Sequence, residues 1–337
     1  MRIALLHRYP AEQIKETNAA FPYLQAMGID VLTFKKFDRL TTWKKAVKDI
    51  LWMFYAPILV WGKKYDVIYC DDSIPFYPAL VKLASPKSKV IIRLGDLHLM
   101  YYFSGWAYDF LHFFEVLAWH CADRIICISK VMSEKVHDDI YYLGKYVGNS
   151  WDDPIIHTVL DPVDPKDFPL SQGDRTIPNT VMFHGTLTKN KNVDILIDAA
   201  YRLPNVNFVI IGDGPDRERL EDYAPYNVFF KGWVPFKSMV RHIETCAMGV
   251  ALRSDNPGNE FVVTSPFVQY GICGKPCLVT RREVFEDYKW QFSGVDEMVE
   301  KIEDILTSKH DPDAIRNYFI KNHGAEKIAE EIWQILV

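Results

Sequence analysis

The residues with the most evident chemical potential stand in two glycine-containing loops in the second half of the chain. Gly185 and Lys191 belong to a polar loop that follows the apolar run Val181–Phe183. Gly212 follows a second apolar run, Phe208–Ile211. Residues at helical spacing lie between the two loops, which predicts a strand–helix–strand unit. Loops at the carboxyl ends of parallel strands bind ligands, and a lysine beside a helix N-terminus suits a diphosphate.

The elements that must position these loops are predicted by an alternation that extends over most of the chain. Short β-rich runs alternate with helical patterns in both halves, which favours an α/β fold with two parallel, doubly wound sheets. The Pro- and Asp-rich stretch Asp152–Thr176 between the halves is interpreted as an interdomain linker. The predicted strands are Ile3–Leu6, Asp30–Phe34, Val67–Cys70, Val90–Arg93 and Arg124–Ile128, followed by Val181–Phe183, Phe208–Ile211, Val228–Lys231, Met248–Leu252 and Pro276–Val279.

Composition indicates an ordinary globular protein of two domains and argues against several functional classes. Of the 337 residues, 49% are hydrophobic and 25% are charged, and the net charge is −5. This acidic balance gives no support for a nucleic-acid partner. The six cysteines lack the spacing of a zinc site, and we expect buried thiols in a reducing, cytoplasmic compartment.

The segment Trp43–Lys64 departs from this soluble pattern. Its apolar, aromatic centre is too short to span a membrane, and lysines stand at both of its ends. Two interpretations stay open: a core helix with solvated lysines, or a peripheral contact with the anionic inner face of a membrane. A second aromatic cluster, Met100–Trp106, leaves open that this domain contacts an apolar acceptor.

Six short motifs, in order along the chain, resemble those of one enzyme family. They are Ala122–Lys130, Val163-Asp164 with Phe168, Gly185 with Lys191-Asn192-Val193, Gly212–Pro215, Phe230–Val234 and Gly274–Pro276. Their order and spacing resemble family 4 of the nucleotide-sugar-dependent GT-B glycosyltransferases, the glycosyl transferases group 1. The resemblance covers most of the chain and implies the GT-B fold, in which two Rossmann-like, doubly wound domains face a central cleft.

The resemblance also implies domain boundaries and a reaction. We expect an acceptor-side domain over 1–160, a nucleotide-sugar-binding domain over 161–318, and a C-terminal helix over 319–337 that packs back onto the first domain. The implied reaction transfers a sugar, with retention of configuration, from a nucleotide-diphosphate donor to a hydroxyl of a glycan or lipid-linked acceptor. The nucleotide sugar is then a co-substrate, and no further cofactor is expected. A metal is not expected either, because the phosphate loops lack a carboxylate pair, and Asp71-Asp72 is interpreted as a loop or cap.

Candidate donor-binding residues follow from the resemblance and from the chemistry of the leaving group. Lys191 and Arg253 are expected to offset the charge that grows on the diphosphate. Gln269 stands where the family has a glutamate that binds the ribose. Thr264 and Ser265 are interpreted either as phosphate ligands or as a helix N-cap. The predicted donor set is Gly185, Lys191, Gly212, Trp233, Val234, Arg253, Thr264, Ser265 and Gln269.

Three further residues are candidate catalytic groups. Asp96 and His98 follow a buried strand of the first half, where the family has a histidine that contacts the donor sugar. The alternative interpretation is a capping aspartate and a half-buried structural histidine. Glu260 is expected near the transferred sugar, one residue out of register with the family's glutamate.

The chain departs from the family pattern at three places, and these keep other functions open. Gln269 loses the charge-assisted hydrogen bond of a carboxylate. The loop after the first strand is His7–Pro10 in place of a glycine pair, and Thr186 replaces an arginine. The alternatives are a nucleotide-sugar epimerase and a non-catalytic member that binds a partner or a membrane. A nicotinamide dehydrogenase is disfavoured because no GxGxxG follows the first strand.

Overall fold

The computed structural model divides the chain into two compact units. It describes residues 1–7, 18–33, 42–71, 76–97, 99–100, 103–147, 154–170 and 175–337. The N-terminal unit comprises Met1–Pro162 together with Ala325–Val337, and the C-terminal unit comprises Val163–Gly324. The last segment of the chain therefore belongs to the N-terminal unit.

Each unit contains a six-stranded parallel sheet. The strands are β1 (Ile3–His7), β2 (Asp30–Thr33), β3 (Val67–Cys70), β4 (Lys89–Leu94), β5 (Arg124–Cys127) and β6 (Ile155–Thr158) in the N-terminal unit, and β7 (Thr180–His184), β8 (Asn207–Ile211), β9 (Val228–Gly232), β10 (Met248–Ala251), β11 (Cys277–Thr280) and β12 (Gln291–Phe292) in the C-terminal unit. The strand orders are β2-β1-β3-β4-β5-β6 and β12-β11-β10-β7-β8-β9. The predicted α/β fold with two parallel sheets is confirmed.

Helices connect the strands, because parallel neighbours need crossover connections. They are α1 (Phe21–Ala26), α2 (Thr42–Val60), α3 (Tyr77–Ala84), α4 (Gly105–His120), α5 (Lys130–Val147), α6 (Asp194–Arg202), α7 (Arg217–Tyr223), α8 (Phe236–Thr245), α9 (Ser265–Ile272), α10 (Val295–Thr307), α11 (Pro312–His323) and α12 (Ala325–Leu336). In the described part of the chain, none of these helices is both long enough and apolar enough to cross a membrane.

Helix α12 joins the N-terminal unit through one apolar face. Ile328, Ile332 and Leu336 recur at helical spacing, are buried, and share a core cluster with Leu24 of α1. At the end of this helix, the guanidinium of Arg124 in β5 donates a hydrogen bond to the carbonyl oxygen of Ile335. Packing and this bond together fix the last helix of the chain to the N-terminal sheet.

The core of the C-terminal unit surrounds β7, whose five residues are all buried. Helices α6, α7 and α10 cover one face of the sheet, and α8, α9 and α11 cover the other. Gly249 of β10 lets α9 lie close to the sheet, because a Cβ at this position would be 2.3 Å from the Tyr270 ring. The Tyr270 hydroxyl donates a hydrogen bond of 2.8 Å to the carbonyl oxygen of Met182. Helix α9 is therefore fixed against β7 and β10.

Two strands are present that the sequence pattern did not indicate. Strand β6 lies inside the stretch interpreted as a linker, and its Ile156 pairs with Ile125 of β5. Strand β12 has two residues. A strand of two residues is too short to show a period, and β6 is surrounded by the Pro- and Asp-rich residues that indicated a linker. The connection between the units is accordingly shorter than the predicted linker.

Candidate functional site

The two predicted glycine loops meet at the carboxyl edge of the C-terminal sheet. The backbone N–H of Gly185 donates to Ile211 at 3.0 Å, and that of Gly212 donates to Gly232 at 2.8 Å. Gly212 has φ +136°, and a Cβ at this position would lie 1.9 Å from the carbonyl oxygen of Gly185. Any side chain at Gly212 would therefore push the loops after β7 and β8 apart.

Lys191 lies beside this pair of loops. It ends the 3₁₀ turn Lys189–Lys191, and the next residue, Asn192, is left-handed with φ 50°. The Cε atom of Lys191 is 4.0 Å from where a Cβ of Gly185 would stand. The structure therefore brings the predicted cation and the predicted glycine together.

His184, the last residue of β7, is a buried polar group that the sequence analysis did not single out. Burial, reinforced by the charge of Lys191, lowers the pKa of His184 to about 3, so its imidazole is neutral near pH 7. Its ring is 5.1 Å from the Tyr270 ring, and its Nε2 atom has no hydrogen-bond partner among the described residues. The available signal was a histidine that interrupts an apolar strand directly before a glycine.

The loop after β10 is joined to the loop after β7 by side-chain amides. The amide nitrogen of Asn259 donates to Oδ1 of Asn190 at 2.9 Å and to the carbonyl oxygen of Ser254 at 2.9 Å. The backbone N–H of Ser254 donates to the carbonyl oxygen of Asn190, also at 2.9 Å. These bonds hold the loop that carries Arg253. The Nε atom of Arg253 is buried without a hydrogen-bond partner in the described part of the protein.

Glu260, a predicted catalytic residue, is held by Arg282 after β11. The Nε atom of Arg282 is 3.3 Å from Oε1 of Glu260, and the backbone N–H of Glu283 donates to Oε2 at 3.2 Å. Arg282 also donates to the carbonyl oxygen of Ser254 at 2.7 Å and to the Asp255 carboxylate at 2.8 Å. No local pattern in the sequence indicates Arg282, because its contacts come from loops distant in sequence.

The start of α9 presents two further buried polar atoms. Thr264 occupies the N-cap position, but its side chain makes no capping hydrogen bond and its Oγ1 atom is buried and unpartnered within the described chain. The Oε1 atom of Gln269 is likewise buried without a partner among the described residues. Ser265 is exposed. The structure thus gives Thr264 the backbone position of a cap without the side-chain bond.

The remaining donor candidates follow β9. Trp233 is exposed, and Val234 is half-buried and packs against the core on the α8 side of the sheet. Their backbone continues from Gly232, which accepts the hydrogen bond from Gly212. Both residues therefore stand at the same sheet edge as the glycine loops.

The N-terminal unit has its own buried polar cluster at the carboxyl ends of β3 and β4. Asp71 accepts hydrogen bonds from Nδ2 of Asn18 at 2.7 Å and from the guanidinium of Arg93 at 3.2 Å. Arg93 also pairs with Asp161. Asp71 lies in the loop after β3, as interpreted from the sequence, and its carboxylate is in addition the buried partner of a cation. Asp72 lies outside the described residues.

Asp96 stands near this cluster, two residues after β4. Burial raises the pKa of Asp161, Arg93 opposes this shift, and the negative charge of Asp96 adds to it. The structure therefore brings Asp96 near a cation and a second carboxylate. His98 lies outside the described residues.

A family comparison identifies the C-terminal unit. Residues 178–321, most of that unit, match the model of the family described as glycosyl transferases group 1. The C-terminal unit therefore contains a group 1 glycosyltransferase domain. The resemblance to group 1 glycosyltransferases that the motifs indicated is thereby confirmed, and so is the prediction that the protein is an enzyme. No curated protein matches the chain in a sequence comparison.

Solved structures share the GT-B fold of this chain over its whole length. Alr3699/HepE of Anabaena, solved with UDP and glucose, is 14% identical with a TM-score of 0.67, and the match covers 100% of this chain and 99% of that one. Sucrose-phosphate synthase of Thermosynechococcus elongatus is 13% identical with a TM-score of 0.70, covering 99% and 98%. The lipopolysaccharide outer core galactosyltransferase WaaB is 17% identical with a TM-score of 0.67, covering 100% of both chains. At these identities the likeness establishes the fold alone.

Proposed function

We propose that the protein is a glycosyltransferase that moves a sugar from a nucleoside-diphosphate donor, held by its C-terminal unit, to a hydroxyl acceptor. The observation that carries this proposal is that three of its donor-binding candidates have buried polar atoms without a partner among the described residues: Arg253 Nε, Thr264 Oγ1 and Gln269 Oε1. Each such atom costs about 1–3 kcal/mol when it is left without a hydrogen bond. A ligand that supplies both acceptors and hydroxyl donors would satisfy all three.

The charges at this edge suit a diphosphate leaving group. Negative charge grows on the diphosphate as the glycosidic bond breaks, and Lys191 and Arg253 would stabilise it. Thr264 and Ser265, at the N-terminus of α9, would add hydrogen bonds and a helix dipole. We propose that these groups, and not a metal ion, offset the charge, and that no further cofactor takes part.

Roles for the remaining residues follow from their chemistry. Gln269 would accept a hydrogen bond from a ribose hydroxyl, as a neutral substitute for a carboxylate. Glu260, oriented by Arg282, would stand near the transferred sugar. Asp96 and His98 stay candidates for contacts made from the N-terminal unit. Retention of configuration belongs to the proposal and rests on the family resemblance.

Uridine is the base that we propose to test first. The structure of HepE, which shares this fold, holds UDP and glucose. The acceptor is proposed to be a glycan or a lipid-linked glycan, met by a peripheral contact of Trp43–Lys64 with the inner face of a membrane.

The test measures thermal unfolding of the protein with a panel of nucleoside diphosphates and nucleotide sugars at fixed protein concentration. A ligand that binds the folded state raises the unfolding temperature by mass action. We expect a shift with one diphosphate series, UDP first, followed by release of that diphosphate when an acceptor is added. Binding without turnover over an acceptor panel would favour the non-catalytic alternative, and conversion of the bound sugar to an isomer would favour the epimerase.

A further inference from the structure

One side of the N-terminal unit exposes an unusual number of large apolar side chains. We call this surface the aromatic face. Its members lie on or beside three helices that pack in sequence, α2 on α3 and α3 on α4. They are Leu51, Phe54, Tyr55, Ile58, Trp61, Leu83, Phe103, Trp106, Phe110, Phe113 and Phe114.

The spacing of these residues shows that α2 and α4 each have a second, outward apolar stripe, and α3 adds the exposed Leu83. In α2, Trp52 and Ala56 are fully buried, whereas Phe54 and Ile58 are each 62% exposed. Trp61, directly after the helix, is 72% exposed. An amphipathic helix of a soluble protein normally turns its polar side to water. Here the outward side of α2 is apolar, so the core does not account for it.

Helix α4 repeats the pattern. Trp106, Phe110 and Phe114 are four residues apart on one side of the helix, and Trp106 is 81% exposed. The buried residues of α4 include Val116 and Trp119, near its other end. Between α2 and α3 lies a groove of about 490 Å³ whose lining residues all have apolar side chains. The face is thus continuous over three helices, and a patch of this kind marks an interaction site.

The charge beside α2 and α3 is positive although the whole protein has net charge −5. Residues 42–64 contain five lysines and one aspartate, and residues 76–89 contain three lysines and no acidic residue. Lys63 and Lys64 are exposed shortly after Trp61, whereas Lys82 pairs with Asp123. Helix α4 carries two acidic residues and no Lys or Arg. Positive charge is therefore concentrated beside the α2 part of the aromatic face.

We propose that the aromatic face docks on an anionic lipid bilayer, with its tryptophan and phenylalanine side chains in the interfacial region and its lysines at the headgroups. Exposed aromatic residues flanked by lysines match the two requirements of such a surface, apolar burial and attraction to negative lipid. A second copy of the chain suits it less, because a two-fold interface would bring the two lysine-rich edges together. The proposal deepens the peripheral contact stated above, extending it from Trp43–Lys64 to α3 and α4.

Vesicle flotation tests this proposal with the full chain. One set of vesicles is phosphatidylcholine alone, and the other contains phosphatidylglycerol in addition. We expect wild type to float with the anionic vesicles, and to float less as salt increases. Trp61→Ser and Trp106→Ser should each lower the partition of the protein onto vesicles about ten-fold. Each change removes a large apolar area that would be buried in the bilayer. Lys63→Glu with Lys64→Glu should lower it about thirty-fold on anionic vesicles only.

Matched control variants distinguish binding through the aromatic face from nonspecific adsorption of the protein to vesicles. Tyr226→Ser removes an aromatic side chain that is 79% exposed in the C-terminal unit, and Lys237→Glu with Lys309→Glu reverses two exposed lysines there. Both controls should float as wild type does. All variants are checked for wild-type unfolding temperature and for the stabilisation by UDP, so that loss of donor binding and loss of membrane binding are scored separately.

Three results would overturn the proposal. If the wild-type protein does not float with anionic vesicles, the aromatic face does not bind a lipid bilayer. Flotation that is unchanged in the tryptophan variants places the contact elsewhere. Concentration-dependent dimerisation in sedimentation velocity, abolished by Trp61→Ser and Trp106→Ser, assigns the face to a second copy.

Discussion

The carboxylate of Glu260 lies 3.3 Å from Nε of Arg282 and also accepts the backbone N–H of Glu283. The pair joins the loop after β10 to the loop after β11, at the sheet edge where the donor-binding candidates collect. Besides this ion pair, the guanidinium of Arg282 donates hydrogen bonds to Ser254 and Asp255 in the loop after β10. It is therefore a positioning residue, since it orients Glu260 and the segment that carries Arg253.

Replacement of Arg282 should reduce turnover more than it reduces donor binding. In Arg282→Ala, Glu260 loses its cation, and we expect kcat to fall about ten- to hundred-fold with a smaller change in KM. Lost hydrogen bonds from a charged group should also lower the free energy of unfolding by about 2 kcal/mol. Arg282→Lys keeps the charge and should recover part of the stability but little of the rate. Wild-type kcat in Arg282→Ala, measured by steady-state kinetics, would exclude the positioning role.

Lys191 and Arg253 should each contribute to stabilisation of the leaving diphosphate. Lys191→Ala and Arg253→Ala are expected to lower kcat/KM by about 10²–10³, the usual loss when one charge-stabilising group is removed from a transition state. The chain offers a matched control, because Lys189 is exposed in the same 3₁₀ turn as Lys191. Lys189→Ala should stay near wild type in the same assay. Equal losses in Lys189→Ala and Lys191→Ala would point to bulk charge and would remove Lys191 from the site.

Gln269 offers a test of the ribose contact. A carboxylate accepts a stronger hydrogen bond from a hydroxyl than an amide does. Gln269→Glu is therefore expected to bind the donor about five-fold more tightly, a gain of roughly 1 kcal/mol. Gln269→Ala should bind more weakly than wild type. Titration calorimetry measures the affinity of the three proteins for UDP. Identical affinities would show that Gln269 does not contact the nucleotide.

His112 predicts a pH dependence of stability that is independent of the donor site. Its ring nitrogens are 3.0 Å from the Glu115 carboxylate and 3.1 Å from that of Asp139, which joins α4 to α5. Burial alone would lower the pKa of His112, but the hydrogen bonds to Asp139 and Glu115 raise it to about 9. The folded pKa lies above the ordinary value of 6.5, so the stabilisation is complete below pH 6.5 and is lost as pH rises through 9.

Chemical denaturation between pH 6 and pH 10 measures this effect, with a slope of at most about 1.4 kcal/mol per pH unit for one proton. His112→Gln should flatten the slope in that window. His137, exposed on α5, supplies the matched control, because its removal leaves the buried pair intact. A slope that persists in His112→Gln would assign the pH dependence to another group.

The fold was predictable because buried parallel strands are continuous apolar runs, and β1, β3, β7 and β10 all follow this rule. Strands β6 and β12 were not predicted, since β12 has only two residues and β6 lies in a Pro- and Asp-rich stretch that indicated a linker. The glycine loops were also visible, because Gly212 meets a backbone restriction that other residues cannot satisfy. Lys191 was singled out through the motif that begins at Gly185.

The residues that hold the loops of the candidate site in place could not be predicted from local sequence patterns. Arg282 acts on Glu260 and on Ser254, and Asn259 acts on Asn190, across separations that no sequence window covers. The buried state of Asp71 is of the same kind, because it depends on a cation, Arg93, on the neighbouring strand. Tertiary contacts between loops are set by the folded sheet, so they become visible only in the structure.

The proposed function requires that the C-terminal unit binds a nucleoside diphosphate through cationic and polar side chains. Titration calorimetry of UDP measures this binding, with wild type and Arg253→Ala side by side and EDTA present throughout. We expect UDP to bind wild type without divalent cations and UMP to bind more weakly because it lacks the second phosphate, and we expect Arg253→Ala to lose most of the difference between them. A correctly folded wild-type protein that binds none of the nucleoside diphosphates would exclude this function.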